Sequence, residues 1–186
     1  MRSVTLIAKG PSAVCAPSFV EPGDDIAAVN DAGRFIEREI TYAFFTDAMR
    51  PMVEHQQRIS RFVSPAREIN RPVWYRPQDH ITYAEGECEG TQDAFEERIQ
   101  SGGICHHHTT TGAMHWLAKV AGYNRIRIIG VDGGHQYAPG SFIDQPLQNK
   151  LREDLGNEFL DDWKLITIRL AELLTKVYGT EFVWYA

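Results

Sequence analysis

The chain has 186 residues, 43% of them hydrophobic and 24% charged, which suits one compact domain with a buried core and excludes a disordered or low-complexity protein. A net charge of -6 with a pI near 5.6, and no local basic cluster, argues against sequence-independent binding of nucleic acid or of acidic membrane surfaces. The three cysteines, Cys15, Cys88 and Cys105, form no CxxC and no even-numbered framework, so they read as reduced thiols of a cytoplasmic protein.

In "MRSVTLIAKGPS" the apolar run spans only residues 4–8, too short for a signal-peptide core, and no stretch approaches the roughly 20 apolar residues of a membrane helix. The same run, broken by Gly10-Pro11-Ser12, predicts a buried strand entering a loop. Residues 26–29 repeat the pattern and end at Asn30-Asp31, and residues 42–45 repeat it again before Thr46-Asp47. Residues 61–63 and 73–75 are weaker strand candidates fenced by proline, and the polar stretch 76–100 holds a short helix around "TQDAFEERIQ".

The second half has stronger periodicity. "TTGAMHWLAKVAGY" places Ala113, Met114, Trp116, Leu117, Val120 and Ala121 on one helical stripe that Gly122 ends. "NRIRIIGVD" follows as a strand ending at Asp132. Residues 133–157 show no firm period and read as a functional lid or loop. A long helix carries Phe159, Trp163, Ile166, Leu170, Leu173 and Val177, and "GTEFVWYA" closes the chain as a strand that suits the core or an interface between copies of the chain. Strands alternating with helices predict a single Rossmann-like α/β domain over residues 1–186, with a mostly parallel sheet flanked by helices.

Gly10-Pro11-Ser12, Asn30-Asp31 and Asp132-Gly133-Gly134 each follow a predicted strand. Polar residues and glycines at the C-terminal edge of an open parallel sheet mark a nucleotide crevice, although each stretch alone is an ordinary turn. Thr109-Thr110-Thr111-Gly112 stands before an amphipathic helix, where hydroxyls cap and free amides favour an anion. Neither GxGxxG after the first strand nor GxxxxGK[ST] occurs, so the dinucleotide and P-loop readings lack their main support. His106, His107 and His108 are consecutive, and neighbouring side chains of an extended loop alternate in direction, which disfavours one shared metal ion. His135 and Tyr137, just past a strand end, suit proton transfer and phosphate contact.

"IAKGPSA", "AVNDA" and "TTGAMHWLAKVAGYNRIRIIGVDGGHQYA" together resemble a superfamily containing the bacterial CMP-sialic-acid sialyltransferases, the Maf-type flagellin glycosyltransferases and the 6-hydroxymethylpterin diphosphokinase-like proteins. The resemblance implies that Gly10, Pro11, Ser12, Asn30, Thr110, Thr111 and Gly112 hold a CMP moiety and that Tyr137 holds its phosphate. The first of the two phosphate-binding tyrosines of the sialyltransferases falls on Gly134, and the first glycine and the asparagine of their N-terminal loop are replaced by Ala8 and Lys9. Their catalytic histidine before the last helix has no counterpart, because the last histidine is His135, and an ungapped count from the closing strand lands on Asp161-Asp162.

The leading expectation is a glycosyltransferase-like protein that binds a nucleotide or CMP-activated sugar without a required cofactor. Lys9, Gly10, Pro11, Ser12, Asn30, Asp31, Thr110, Thr111, Gly112, Asp132 and Tyr137 would line the nucleotide site, with His135 and Asp162 as acid–base candidates. The alternatives are a diphosphokinase-like enzyme holding Mg²⁺ on Asp31, Asp47 and Asp132, and a non-catalytic nucleotide-binding protein.

Overall fold

The structure is a computed structural model that describes residues 1–45, 56–65, 79–83, 88–134, 136–141 and 145–185. The expected strand at residues 73–75, together with Asp47 and His135, lies outside the described residues.

Among the described residues seven strands form one all-parallel sheet, the Rossmann-like architecture that the alternating pattern predicts: β1 (Ser3–Ile7), β2 (Asp25–Val29), β3 (Ile40–Phe44), β4 (Ile59–Pro65), β5 (His80–Tyr83), β6 (Arg125–Ile129) and β7 (Glu181–Trp184). Their spatial order is β5-β4-β3-β2-β1-β6-β7. The chain steps outward from β1 to β5, then returns to the other side of β1, so the order reverses between β1 and β6. Leu6 pairs with Ala27 on one side and Ile128 on the other.

Strands buried on both faces need apolar side chains in both directions, which explains the continuous runs in β1, β2 and β6. Period-two alternation divides them between two cores. Val4, Leu6, Val29 and Phe44 face α3 (Thr109–Lys119) and α5 (Phe159–Tyr178) through Met114, Leu117, Leu170 and Leu174. On the opposite face Ile7, Ile26, Ala28 and Phe62 meet Ala13, Ala16 and Ala32 from two short 3-10 turns, Pro11–Cys15 and Asn30–Phe35, and from α1 (Ala16–Phe19).

Three expectations change. Thr109 to Gly112 are the first turn of α3, not a loop before it, and the helix is buried from Thr109 through Ala118, with Val120 outside it and exposed. The tract 133–157 contains α4 (Gln145–Leu155), a polar helix beside α5. The polar middle contains β5 as well as α2 (Gln92–Gln100). None of the helices among the described residues is long and apolar enough to cross a membrane.

Candidate functional site

The strand order reverses between β1 and β6, and the C-terminal edge at such a reversal is where open parallel sheets bind their ligands. α3 and α5 each precede a parallel strand and run back along the sheet, so their N-terminal turns stand at the same edge. Sequence-distant residues are thereby brought to one place.

The floor of that edge is a clasp between two loops. The amides of Ala8 and Gly10 donate to the carbonyls of Ile129 and Gly130 at 2.8 and 2.7 Å, carrying strand-like pairing past the end of the sheet. Ser12 Oγ accepts from the Gly130 amide at 3.0 Å, and Asp132 Oδ2 accepts from the Ser12 amide at 2.8 Å. Gly130 has φ +84°, and a Cβ there would collide with the Ala8 carbonyl. A Cβ on Gly10 would strike the Asp132 carboxylate and the Gly130 carbonyl. The Ser12 hydroxyl and Asp132 Oδ2 thus hold the loops together, and the two glycines give the space that this closeness demands. Pro11 stands in the first turn of the 3-10 segment after β1, where its lack of an amide proton costs no hydrogen bond.

Beside the clasp is a charged group. Asp31 is fully buried, with Lys9 Nζ at 3.0 Å from Oδ1 and Arg34 Nη1 at 3.8 Å from Oδ2. Lys9 Nζ also stands 4.9 Å from the centroid of the Tyr137 ring, whose hydroxyl accepts from Gln148 Nε2 at 3.2 Å. The Lys9 carbonyl accepts from the Ala138 amide at 2.7 Å, and Arg34 donates to the Gly140 carbonyl. Lys9, Asp31 and Tyr137, predicted as neighbours in function, are therefore neighbours in space.

Asn30 follows β2 as the first residue of the 3-10 turn, in the left-handed region at φ 52°, a conformation that asparagine tolerates better than most residues. It is half-buried, and its side chain takes no hydrogen bond among the described residues. The Thr110 hydroxyl likewise takes none, whereas Thr111 is consumed by the helix start. Thr111 Oγ1 accepts from the amides of His107 and His108, each at 3.0 Å, and donates to the His108 carbonyl at 2.7 Å. Gly112 makes room for a side-chain pair, since a Cβ there would meet His106 Nδ1 and the Tyr83 hydroxyl, themselves 2.9 Å apart.

The histidine run separates, as adjacent residues must. His106 is buried against Tyr83, and His107 Nδ1 lies 2.9 Å from the Cys88 carbonyl. His108 stacks on Trp163 with ring centroids 5.1 Å apart. Thr167 Oγ1 gives its one hydrogen to the Trp163 carbonyl at 2.6 Å, so it accepts from His108 Nε2 at 3.2 Å. Burial, and then the neighbouring His107, push His108 down to about 3. A neutral ring that donates through Nε2 is a poor general base. Among the described residues no group of three or more histidine, cysteine, aspartate or glutamate side chains could hold a metal ion. Of the three aspartates expected at a magnesium site, Asp31 faces two cations and Asp132 accepts from an amide, and Asp47 lies outside the described residues.

At the start of α5, Asp161 Oδ1 accepts from the Gly134 amide at 2.7 Å and Lys164 Nζ donates to the Asp132 carbonyl at 3.1 Å. Asp162 is exposed and its side chain holds no hydrogen bond or ion pair among the described residues. Sequence reasoning did not single out Arg34, Lys164 or the His108–Trp163 stack. Trp163 carries a helical-stripe signal that reads as core, and its partner is 55 positions earlier, beyond the reach of any local pattern.

A parallel sheet whose strand order reverses between β1 and β6, with threonines, an asparagine and lysines at the C-terminal edge, defines a Rossmann-like α/β architecture. No protein-family model matches the chain, and no curated protein does. Solved structures match over nearly its whole length. The sialyltransferase CstII from Campylobacter jejuni, in complex with the substrate analogue CMP-3FNeuAc, aligns with 99% of this chain and 81% of its own at TM-score 0.58 and 14% identity. A tyrosine-to-phenylalanine variant of the sialyltransferase Cst-II in complex with CMP aligns over the same shares at 0.57 and 12%. The C. jejuni enzyme in complex with cytidine-5'-monophosphate gives 0.51 and 12%, over 99% and 79% of the two chains. The fold is shared with these sialyltransferases, the branch of the resemblance that the structures bear out.

Proposed function

We propose that the chain binds a CMP-activated sugar at the C-terminal edge of the sheet, over the clasped β1 and β6 loops, and transfers its sugar in the manner of a glycosyltransferase. The observation that carries this reading is the division of labour at the strand ends. Ser12, Asp132 and Thr111 are spent on building the edge, while Asn30 and the Thr110 hydroxyl keep hydrogen-bonding capacity at it. Solved structures of the same fold with CMP or a CMP-sugar analogue bound support the choice of ligand.

In this reading the Asn30 amide, both donor and acceptor, reads the nucleoside. The N-terminal turn of α3, with Thr110, meets the phosphate, and Lys9 moves between Asp31 and the charge that develops on the leaving CMP. Asp162 is the base that takes the acceptor's proton, with His135 as the second acid–base candidate. The reaction takes place in the cytoplasm, and the acceptor enters from the open side of the edge.

Thermal-shift titration with CMP, CDP, UDP, GDP, ATP and a pterin, each with and without Mg²⁺, tests it. A ligand that binds only the folded chain raises Tm by mass action, by about 2.7 kcal/mol of stability at a hundred times Kd. CMP should stabilise without metal. Stabilisation by ATP with Mg²⁺ alone, or by no nucleotide, would overturn the reading.

A further inference from the structure

We propose that Cys88 and Cys105 are a redox-active dithiol that closes into an intramolecular disulfide when the protein meets peroxide. The two residues flank α2 and fold back beside one another: the Cys88 amide donates to the His106 carbonyl at 3.2 Å. Their sulfurs stand over successive carbonyls of that helix, Cys88 Sγ 3.9 Å from Ala94 O and Cys105 Sγ 3.5 Å from Phe95 O. Neighbouring carbonyls of one helix turn thus bring the two thiols to the same place. Cys15 lies elsewhere, against Tyr185, and has no such neighbour among the described cysteines.

The pair is asymmetric. Cys105 is fully buried and Cys88 is 5% exposed, so a small oxidant reaches Cys88 first. The proximity of Cys105 lowers the Cys88 thiol, whereas the proximity of Cys88, and then burial, raises that of Cys105. The Cys88 thiolate attacks one peroxide oxygen; the O–O bond breaks, leaving a sulfenic acid on Cys88 and a hydroxide that is protonated to water. Cys105 sulfur then attacks Cys88 sulfur. The S–O bond breaks, the S–S bond forms, and hydroxide leaves with the Cys105 proton as a second water. Two electrons pass from sulfur to peroxide.

The bond would matter because of what it ties. The Cys88 carbonyl faces His107 Nδ1 at 2.9 Å, and His107 and His108 hand their amides to Thr111 at the start of α3. Closing the loop around α2 would fix the segment that sets this helix N-terminus.

The test treats the reduced full chain with equimolar hydrogen peroxide, blocks remaining thiols with iodoacetamide and maps the peptides. The expected product is monomeric, lacks the two thiol hydrogens, joins the peptides of Cys88 and Cys105, and keeps Cys15 alkylated. Its Tm should rise by about 5–10 °C, the effect of cross-linking a short loop in a chain of this size, and fall back on reduction. A C15S variant should behave identically. C105S should instead leave a sulfenic acid on Cys88 that dimedone traps. Cys15 oxidising first, cross-linked dimers, or Cys88 reaching sulfinic acid while Cys105 stays alkylatable would each overturn the proposal. No outcome depends on nucleotide binding.

Discussion

His115 is fully buried within α3, where its Nδ1 accepts from the Cys105 amide at 2.7 Å and its Nε2 lies 3.2 Å from the Tyr178 hydroxyl. Protonation would put a second proton where the amide hydrogen already sits, inside an apolar core. Burial and then Lys119 accordingly push it down to about 3, as burial and His107 do for His108. Both values lie below the 6.5 of an unfolded histidine, so between about 3 and 6.5 the unfolded chain binds more protons than the folded one. Stability from these two residues is therefore complete above the unfolded value and is lost as pH falls through that window. Each contributes a slope of up to about 1.4 kcal/mol per pH unit there. Urea denaturation at a series of pH values should show this loss, and H115N, whose amide oxygen can replace Nδ1 without titrating, should flatten the slope by about one proton. An unchanged slope would show that His115 titrates normally.

The connections between elements carry a different kind of stability. Ser12 and Asp132 are 120 positions apart, yet each gives an oxygen to the other's loop, and the paired glycines let the backbones touch. S12A removes the acceptor of a Gly130 amide that has no room to turn toward water, which should cost about 1–3 kcal/mol. D132N keeps an oxygen for the Ser12 amide and should cost less. Equal losses in chemical denaturation would mean that the clasp does not act through these two bonds. The strands and the helices around 92–100, 113–119 and 159–178 were legible because burial on both faces, or on one stripe, writes an apolar pattern into the sequence. β5 was not: it is a four-residue strand at the sheet's outer side in which Ile81 stands between the polar His80 and Thr82, and only Tyr83 is deeply buried. α4 is polar apart from Leu147, Leu151 and Leu155, a single thin row at i, i+4 and i+8 that follows a proline- and glycine-containing stretch and is easily read as loop. The positions of the site residues were legible as strand ends. Which of them would spend their polar atoms on one another was not, because that depends on loops more than 100 residues apart.

Across the whole molecule, the strand order decides where a ligand can enter. With β1 central and the chain turning back at β6, Lys9, Asn30 and the start of α3 come from three separate crossovers yet meet at the same edge. The opposite edge holds another open, polar hollow of about 560 Å³ among Glu37, Glu39, Gln57, Arg58, Ser60 and Asp79, but its groups are taken up mutually, as in Ser60 Oγ to Glu39 Oε1 at 2.5 Å and Arg61 to Asp79 at 3.4 Å. The two edges give a test that no single substitution provides. N30G and T110A remove side chains that hold no hydrogen bond among the described residues, and glycine keeps the left-handed backbone of position 30 free of strain, so each should leave the ligand-free Tm within about 1 °C while weakening CMP binding by roughly tenfold, the loss expected of one good hydrogen bond at about 1.4 kcal/mol. K9M should weaken it at least as much, and its salt dependence should fall with the lost charge. R61A, at the far edge, should change neither Tm nor affinity beyond the small effect of an exposed ion pair. Calorimetric titration of these four variants separates the possibilities. If R61A alone weakened CMP, the ligand would sit at the wrong end of the sheet, and the strand-order argument for the crevice would fall with it.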